Sequence, residues 1–186
     1  MKMIGGTGMP EMENNVLEVI LKRRSCRKYA GEAIQEEKMK RILEAGLLAP
    51  TSMNKKSCEF YVITDKAVLQ KLSKAKKMGA GMLSVCSAAV AVLADSGKSD
   101  VWIEDCACAL SYMSLTATAE GVGNCWCQIR NRSTLMGKDA EGNVRKALGV
   151  TNEKMRLAGI LALGMPASEA KPHTEDEADW KKVHKI

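Results

Sequence analysis

Histidine is nearly missing from this chain of 186 residues, with two copies, His173 and His184, both close to the C-terminal end. A hydrolase triad built on histidine therefore has no base to use in the body of the protein. Aromatic residues are scarce too, at 4% of the chain. Nucleic-acid binders gather basic residues into a patch and add aromatics on which bases stack. Here Asp and Glu are interspersed among the Lys and Arg, so the net charge of +6 is read as suiting a small anionic ligand rather than nucleic acid. Long apolar runs are also lacking. The most apolar stretch, Gly79 to Ala94, contains Ser84 and Ser87 and falls short of the roughly 20 residues a membrane span needs, so no membrane partner is expected. The first fifteen residues lack the basic start and apolar run of an export signal. Cysteine is plentiful but odd in number, with seven copies. Reduced thiols in a cytoplasm follow as the expectation.

The composition that is present describes an ordinary globular chain, 46% hydrophobic and 27% charged. Its length suits one domain. Residues 1–15 are rich in Gly and polar groups without periodicity and read as a flexible leader; residues 16–186 read as a single domain. Val16, Leu17, Ile20 and Leu21 predict a first helix ending near Lys22 to Ser25. Met39, Ile42, Leu43, Gly46 and Leu47 predict a second over Gln35 to Leu48, stopped by Pro50. Glu59–Thr64 reads as a strand, and Asp65 as the cap of a helix reaching about Lys77. Ala88–Ala94 reads as a buried strand, Glu104–Glu120 as the longest helix and Asn124–Ile129 as a short strand. Asn143–Leu148 reads as a short helix and Leu157–Leu163 as a last core strand. The sum is an α+β fold, a sheet of four to five strands covered by helices. From Ser168 onward the chain is polar, with Trp180 and Val183 as its large apolar groups, and it reads as a tail lying on another surface.

Three constellations could carry chemistry. Arg23, Arg24, Ser25 and Arg27 put three guanidiniums and a hydroxyl within five residues. Guanidinium forks match phosphate oxygens, although a basic helix end that complements the helix dipole would look the same. Pro50, Thr51, Ser52 and Asn54 form a loop with donors and acceptors suited to a planar polar ring, or simply a turn between helix and strand. Trp126, Cys127, Gln128 and Ile129 follow the glycines Gly121 and Gly123 that end the long helix, where backbone N–H groups become available to a ligand and Trp126 could equally be a core aromatic.

Taken in order, these segments resemble the FMN-dependent nitroreductase family. The first is similar to that family's Arg-Arg-Ser-x-Arg start, the second to its Ala-Pro-Ser-Ser-x-Asn loop with Thr51 at the first Ser, the third to its Gly-Leu-Gly-x-x-Trp segment. Asp105, Ala107 and Ala109 fit the start of its central helix, and Leu163, Gly164 and Pro166 its last core strand. The resemblance covers residues 15–185 and implies several things. The sheet would be mainly antiparallel, and the C-terminal tail would be exchanged across a homodimer. Arg23, Arg24, Ser25 and Arg27 would hold the phosphate and ribityl part of FMN. Pro50, Thr51, Ser52 and Asn54 would line the flavin from the other subunit, and the backbone at Gln128 and Ile129 would face its N5 and O4. Lys171 and His173 stand where the family adds a late basic pair, with His in place of the usual Arg. The implied reaction takes hydride from NADH or NADPH through the flavin to a small organic acceptor. Where many members have Gln-Pro-Trp, this chain has Lys56, Ser57 and Cys58, which bears on substrate preference.

Two further readings compete. One is a flavin-binding relative without NAD(P)H turnover, of flavin-degrading or dehalogenase type. The other is a thiol or metal redox protein built on Cys106-x-Cys108 and Cys125-x-Cys127. Residues two apart diverge on a helix and share a face on a strand, and neither spacing is the Cys-x-x-Cys of common metal sites. Small buried residues are the preferred reading of these cysteines, with no metal.

Overall fold

The computed structural model describes residues 15–186, so the expected leader lies, but for Asn15, outside the described residues. Five α-helices and four strands follow one another: α1 (Asn15–Lys22), α2 (Glu36–Leu47), β1 (Cys58–Ile63), α3 (Lys66–Leu72), β2 (Ala88–Asp95), α4 (Trp102–Ala119), β3 (Gly123–Gln128), α5 (Ala140–Ala147) and β4 (Met155–Gly164). The sheet order is β1-β2-β4-β3, with every pairing antiparallel. The α+β class and the antiparallel sheet expected from the sequence are both present.

Side-chain alternation explains the layers. On β2, Ala89, Ala91 and Leu93 face one core, which also holds Leu69 and Leu72 of α3 and Ala140 and Val144 of α5. Val90, Val92 and Ala94 face the other, with Ile42 of α2 and Cys106, Leu110 and Met113 of α4. A strand buried on both faces reads as a continuous apolar run, as Ala88–Ala94 does. On β4 the alternation breaks once. The register shifts between Val92 and Leu93 of its partner, so Leu157 shares a face with Ile160 and Ala162. One extra residue in a strand reverses the side-chain parity beyond it.

Two helices differ from expectation. α3 ends at Leu72 rather than near Lys77, because the chain leaves the helix to bury Ala75 and Ala80 in the core. Its cap is as expected: the Asp65 carboxylate accepts the N–H groups of Ala67 and Val68 at 2.7 and 2.9 Å. α5 starts three residues before the expected Asn143, behind a second such cap, in which Asp139 accepts from Glu141 and Gly142. Among the described residues no helix is long and apolar enough to cross a membrane.

Candidate functional site

The arginine segment is built onto the sheet. After α1 the chain forms a parallel bridge, Ser25 to Asn124, and an antiparallel one, Tyr29 to Pro166. The N–H of Cys26 donates to the Asn124 carbonyl at 2.8 Å, Ala30 donates to Met165 at 2.9 Å, and Ala167 donates back to Lys28 at 3.1 Å. Residues 25–30 thus lie between the start of β3 and the chain leaving β4. The approach requires glycine at 123: a Cβ there would stand 2.8 Å from the Cys26 sulfur. Asn124, buried, fixes the other side. Its amide donates to the Ser114 carbonyl and the Thr118 hydroxyl, both at 3.1 Å, and its oxygen accepts the Ser114 hydroxyl at 2.6 Å.

This junction borders a groove of about 660 Å³ lined by Arg24, Ser25, Arg27, Asn124, Pro166 and neighbouring residues up to Pro172. Its size lies in the range of small-molecule sites, roughly 300–1,000 Å³. Among the described residues, Arg23, Arg24, Arg27 and Lys28 have no carboxylate within ion-pair distance. One Arg24 nitrogen donates to the Lys171 carbonyl at 3.1 Å. The His173 N–H donates to the Leu21 carbonyl at 2.8 Å, and its ring meets Glu177 at 2.6 Å. Lys171 and His173 therefore do lie beside the arginine segment, held there by their backbone.

The remaining expected residues fall elsewhere. Trp126 turns away from the core and is 37% exposed, its ring N–H donating to the Gln128 side chain at 3.0 Å. It lies against Gly159, where a Cβ would come within 2.7 Å of the ring nitrogen. Cys127 and Ile129 are enclosed in the core, which leaves only their backbone for a ligand. The Gln128 carbonyl already accepts the Lys76 ammonium at 2.8 Å.

Pro50, Thr51, Ser52 and Asn54 form a separate loop that does not line the groove. Met53, Asn54 and Lys56 all have positive φ, between 46° and 54°, a region costly for non-glycine residues. Asp105 holds the loop. It is 4% exposed, accepts the Ser52 N–H at 2.8 Å with one oxygen, and accepts the Ser99 hydroxyl at 3.0 Å with the other. In the sequence Asp105 stands out only as part of the start of a helix. Its signal was a carboxylate within an otherwise apolar helical face. The Cys-x-Cys pairs do not converge, since Cys125 and Cys127 belong to one core and Cys106 to the other.

The nitroreductase family model matches residues 20–81 and 76–165. The chain belongs to the nitroreductase family. A protein of Archaeoglobus fulgidus assigned as an NADH dehydrogenase/NAD(P)H nitroreductase is 33% identical over 165 residues, covering 87% of this chain and 91% of its own. A solved FMN-dependent nitroreductase from Clostridium difficile is 38% identical, with a TM-score of 0.87 over 90% of this chain and 97% of its own. A protein of Desulfovibrio desulfuricans assigned as a nitroreductase and solved in complex with FMN is 26% identical, with a TM-score of 0.72 over 89% of this chain and 95% of its own.

Proposed function

We propose that this protein is an FMN-dependent oxidoreductase that takes hydride from NADH or NADPH and passes it to a small organic acceptor, such as a nitroaromatic or quinone, by a ping-pong mechanism. The observation that carries the reading is the groove beside Arg24, Ser25 and Arg27, where two guanidiniums and a hydroxyl converge and, among the described residues, no carboxylate forms an ion pair with them. This donor set fits a phosphate monoester, which guanidinium forks bind bidentately. The names of the Clostridium and Desulfovibrio proteins, one FMN-dependent and one FMN-bound, support the same ligand.

In this reading Arg23, Arg24, Ser25 and Arg27 hold the phosphate and ribityl chain, with Lys171 and His173 beside them. Trp126, Cys127, Gln128 and Ile129 bring β3 to the ring, the last three through their backbone. Bound FMN would supply the two-electron chemistry between pyridine nucleotide and acceptor. The protein's part is to orient, to exclude water and to place donors and positive charge where the reduced ring is anionic. Lys76, which donates to the Gln128 carbonyl at 2.8 Å, supplies positive charge at that strand end in this reading.

The loop of Pro50, Thr51, Ser52 and Asn54 stands apart from its own chain's groove, and this supports a homodimer in which each subunit lends the loop to its partner. Exposed apolar side chains support it too: Ile20, Leu47 and Leu48 all face outward on one chain. The chain from Thr174 onward, exposed throughout, would reach across that dimer. Residues 16–186 act as one flavin-binding domain of a cytoplasmic enzyme.

The test is an absorption spectrum of protein loaded with FMN and desalted, before and after anaerobic NADH or NADPH. A retained flavin band that bleaches is expected. Retained flavin that never bleaches would move the assignment to a flavin-binding relative without turnover, and no retained flavin would overturn it.

A further inference from the structure

Cys58 at the start of β1 and Cys106 in the first turns of α4 are separated by 48 residues in sequence, yet their sulfurs are 3.6 Å apart. Among the described residues this is the one pair of cysteine sulfurs in such contact, and all seven cysteines are free thiols. Cys58 is half-buried, while Cys106 is fully enclosed. The pair brackets the strained loop. Cys58 follows its last residues, and Cys106 follows Asp105, whose carboxylate holds the Ser52 N–H.

We propose that Cys58 and Cys106 are a dithiol modification site, oxidised by a hydroperoxide to a disulfide that repositions the Pro50–Asn54 loop and weakens FMN binding. The effect on FMN rests on the function proposed above; the disulfide itself does not.

The roles of the two sulfurs follow from their surroundings. Either thiol can donate across this contact; with Cys106 as the donor, that bond is the main reason the Cys58 thiol sits below its ordinary value, against the opposing effects of burial and of Asp105. The bond to Cys58, followed by burial, pushes Cys106 up. Cys58 is thus the better thiolate and the more accessible sulfur, and thiolate character with access governs oxidation. Ser57 next to it is held to β2 by its backbone, its carbonyl accepting the Asp95 N–H at 3.1 Å.

The chemistry balances in two steps. The Cys58 thiolate attacks the outer peroxide oxygen, the O–O bond breaks, and Cys58 becomes a sulfenic acid as the other oxygen leaves as water or alcohol. Cys106 sulfur then attacks the Cys58 sulfur, the S–O bond breaks, and a second water carries away the oxygen with the Cys106 proton. The peroxide is reduced by two electrons and the thiol pair is oxidised by two. Bonding draws the sulfurs from 3.6 Å to about 2.05 Å. The start of β1 and the first turns of α4 must then close on each other, and the loop between Pro50 and Ser57 spans the two.

Reduced full-length protein, with and without FMN, is treated with hydrogen peroxide, alkylated in denaturant, digested and weighed. The expected product is a peptide pair linked through Cys58 and Cys106, two hydrogens lighter than the reduced peptides and reversed by dithiothreitol. It is absent from Cys58→Ser. In Cys106→Ala, Cys58 accumulates as a sulfenic acid trapped by dimedone. If both cysteines stay alkylatable in the wild type, or Cys58 overoxidises while Cys106 stays free, the site is overturned. FMN titration is expected to show about tenfold weaker binding after oxidation, an ordinary size for coupling between sites, and no change in peroxide-treated Cys58→Ser. A disulfide without a change in FMN affinity overturns the coupling. Reduced protein that binds no FMN overturns the proposed function instead, and leaves the mass result standing.

Discussion

Cys26 donates its backbone N–H to the carbonyl of Asn124 at 2.8 Å, and that bond sets the arginine segment against the start of β3. Gly123 makes the contact possible, because a Cβ there would meet the Cys26 sulfur at 2.8 Å and the Gly164 carbonyl at 3.1 Å. Gly123→Ala should therefore push residues 24–28 off the sheet. The expected loss is about 1–3 kcal/mol of stability, the usual cost of overpacking, together with weaker FMN binding. Urea unfolding and a flavin fluorescence titration measure the two, and wild-type values for both would contradict this account of the junction.

Arg23→Ala and Arg27→Ala should each weaken FMN binding, since a charge-assisted bond to phosphate contributes about 1.5–3 kcal/mol. Arg24 has a second task, its bond to the Lys171 carbonyl. Arg24→Ala should also loosen the segment after Ser168, which would show as faster proteolysis there. Full flavin occupancy in all three variants would remove the phosphate assignment.

Truncation before Ser168 deletes both Lys171 and the backbone bond from His173 to Leu21. The shortened protein should dimerise or hold FMN less well. Light scattering and flavin content read the outcome, and an unchanged mass and occupancy would mean that the tail serves neither.

Glu141 is buried beneath Arg156, which donates to it twice, at 2.6 and 3.0 Å. The same carboxylate accepts the buried Leu157 N–H at 3.1 Å. Glu141→Ala leaves both donors unpaired and should cost about 2–3 kcal/mol, with Glu141→Gln milder because an acceptor remains. The midpoint of urea unfolding is the measurement.

Glu120 carries a pH signature. Arg41 grips it at 2.6 and 2.9 Å, and that hydrogen bond holds its carboxyl below the ordinary value of 4.5. A depressed folded value means a stabilising contribution that is complete above the unfolded value and fades as pH falls through the folded one. The melting temperatures of wild type and Arg41→Ala should differ near neutrality and converge in strong acid. The pair is exposed, so added salt should shrink the difference as well.

Much of the fold is legible in the residues. Ala88 to Ala94 announces a strand buried on both faces, and Pro50 and Gly121 mark helix ends. The end of α3 is hidden in the sequence because Lys74, Ala75, Lys76 and Lys77 are good helix formers, while the chain's departure is set by tertiary packing of Ala75 and Ala80 into the core. The first turn of α5 is hard to see in the sequence because Ala140, Glu141 and Gly142 carry no apolar period, although Asp139 is a readable cap. Of the site, the arginine cluster and the Thr51–Asn54 loop stand out as local sequence. The bridge from Ser25 to Asn124 and the contact of Cys58 with Cys106 do not, since each is a single meeting of distant residues without a repeating pattern.

The strand order β1-β2-β4-β3 also bears on how the protein is born. The segment from Met155 to Gly164 leaves the ribosome after every other strand, yet it lies inside the sheet, between β2 and β3. Until it emerges, β2 carries an unpaired apolar edge, β3 has no neighbour in the sheet, and the chain beyond Pro166 cannot meet Tyr29. Pairings that far apart in sequence form slowly. The nascent chain must keep that edge from aggregation from the completion of β2 until β4 emerges, and the groove beside Arg24 is among the last features to take shape.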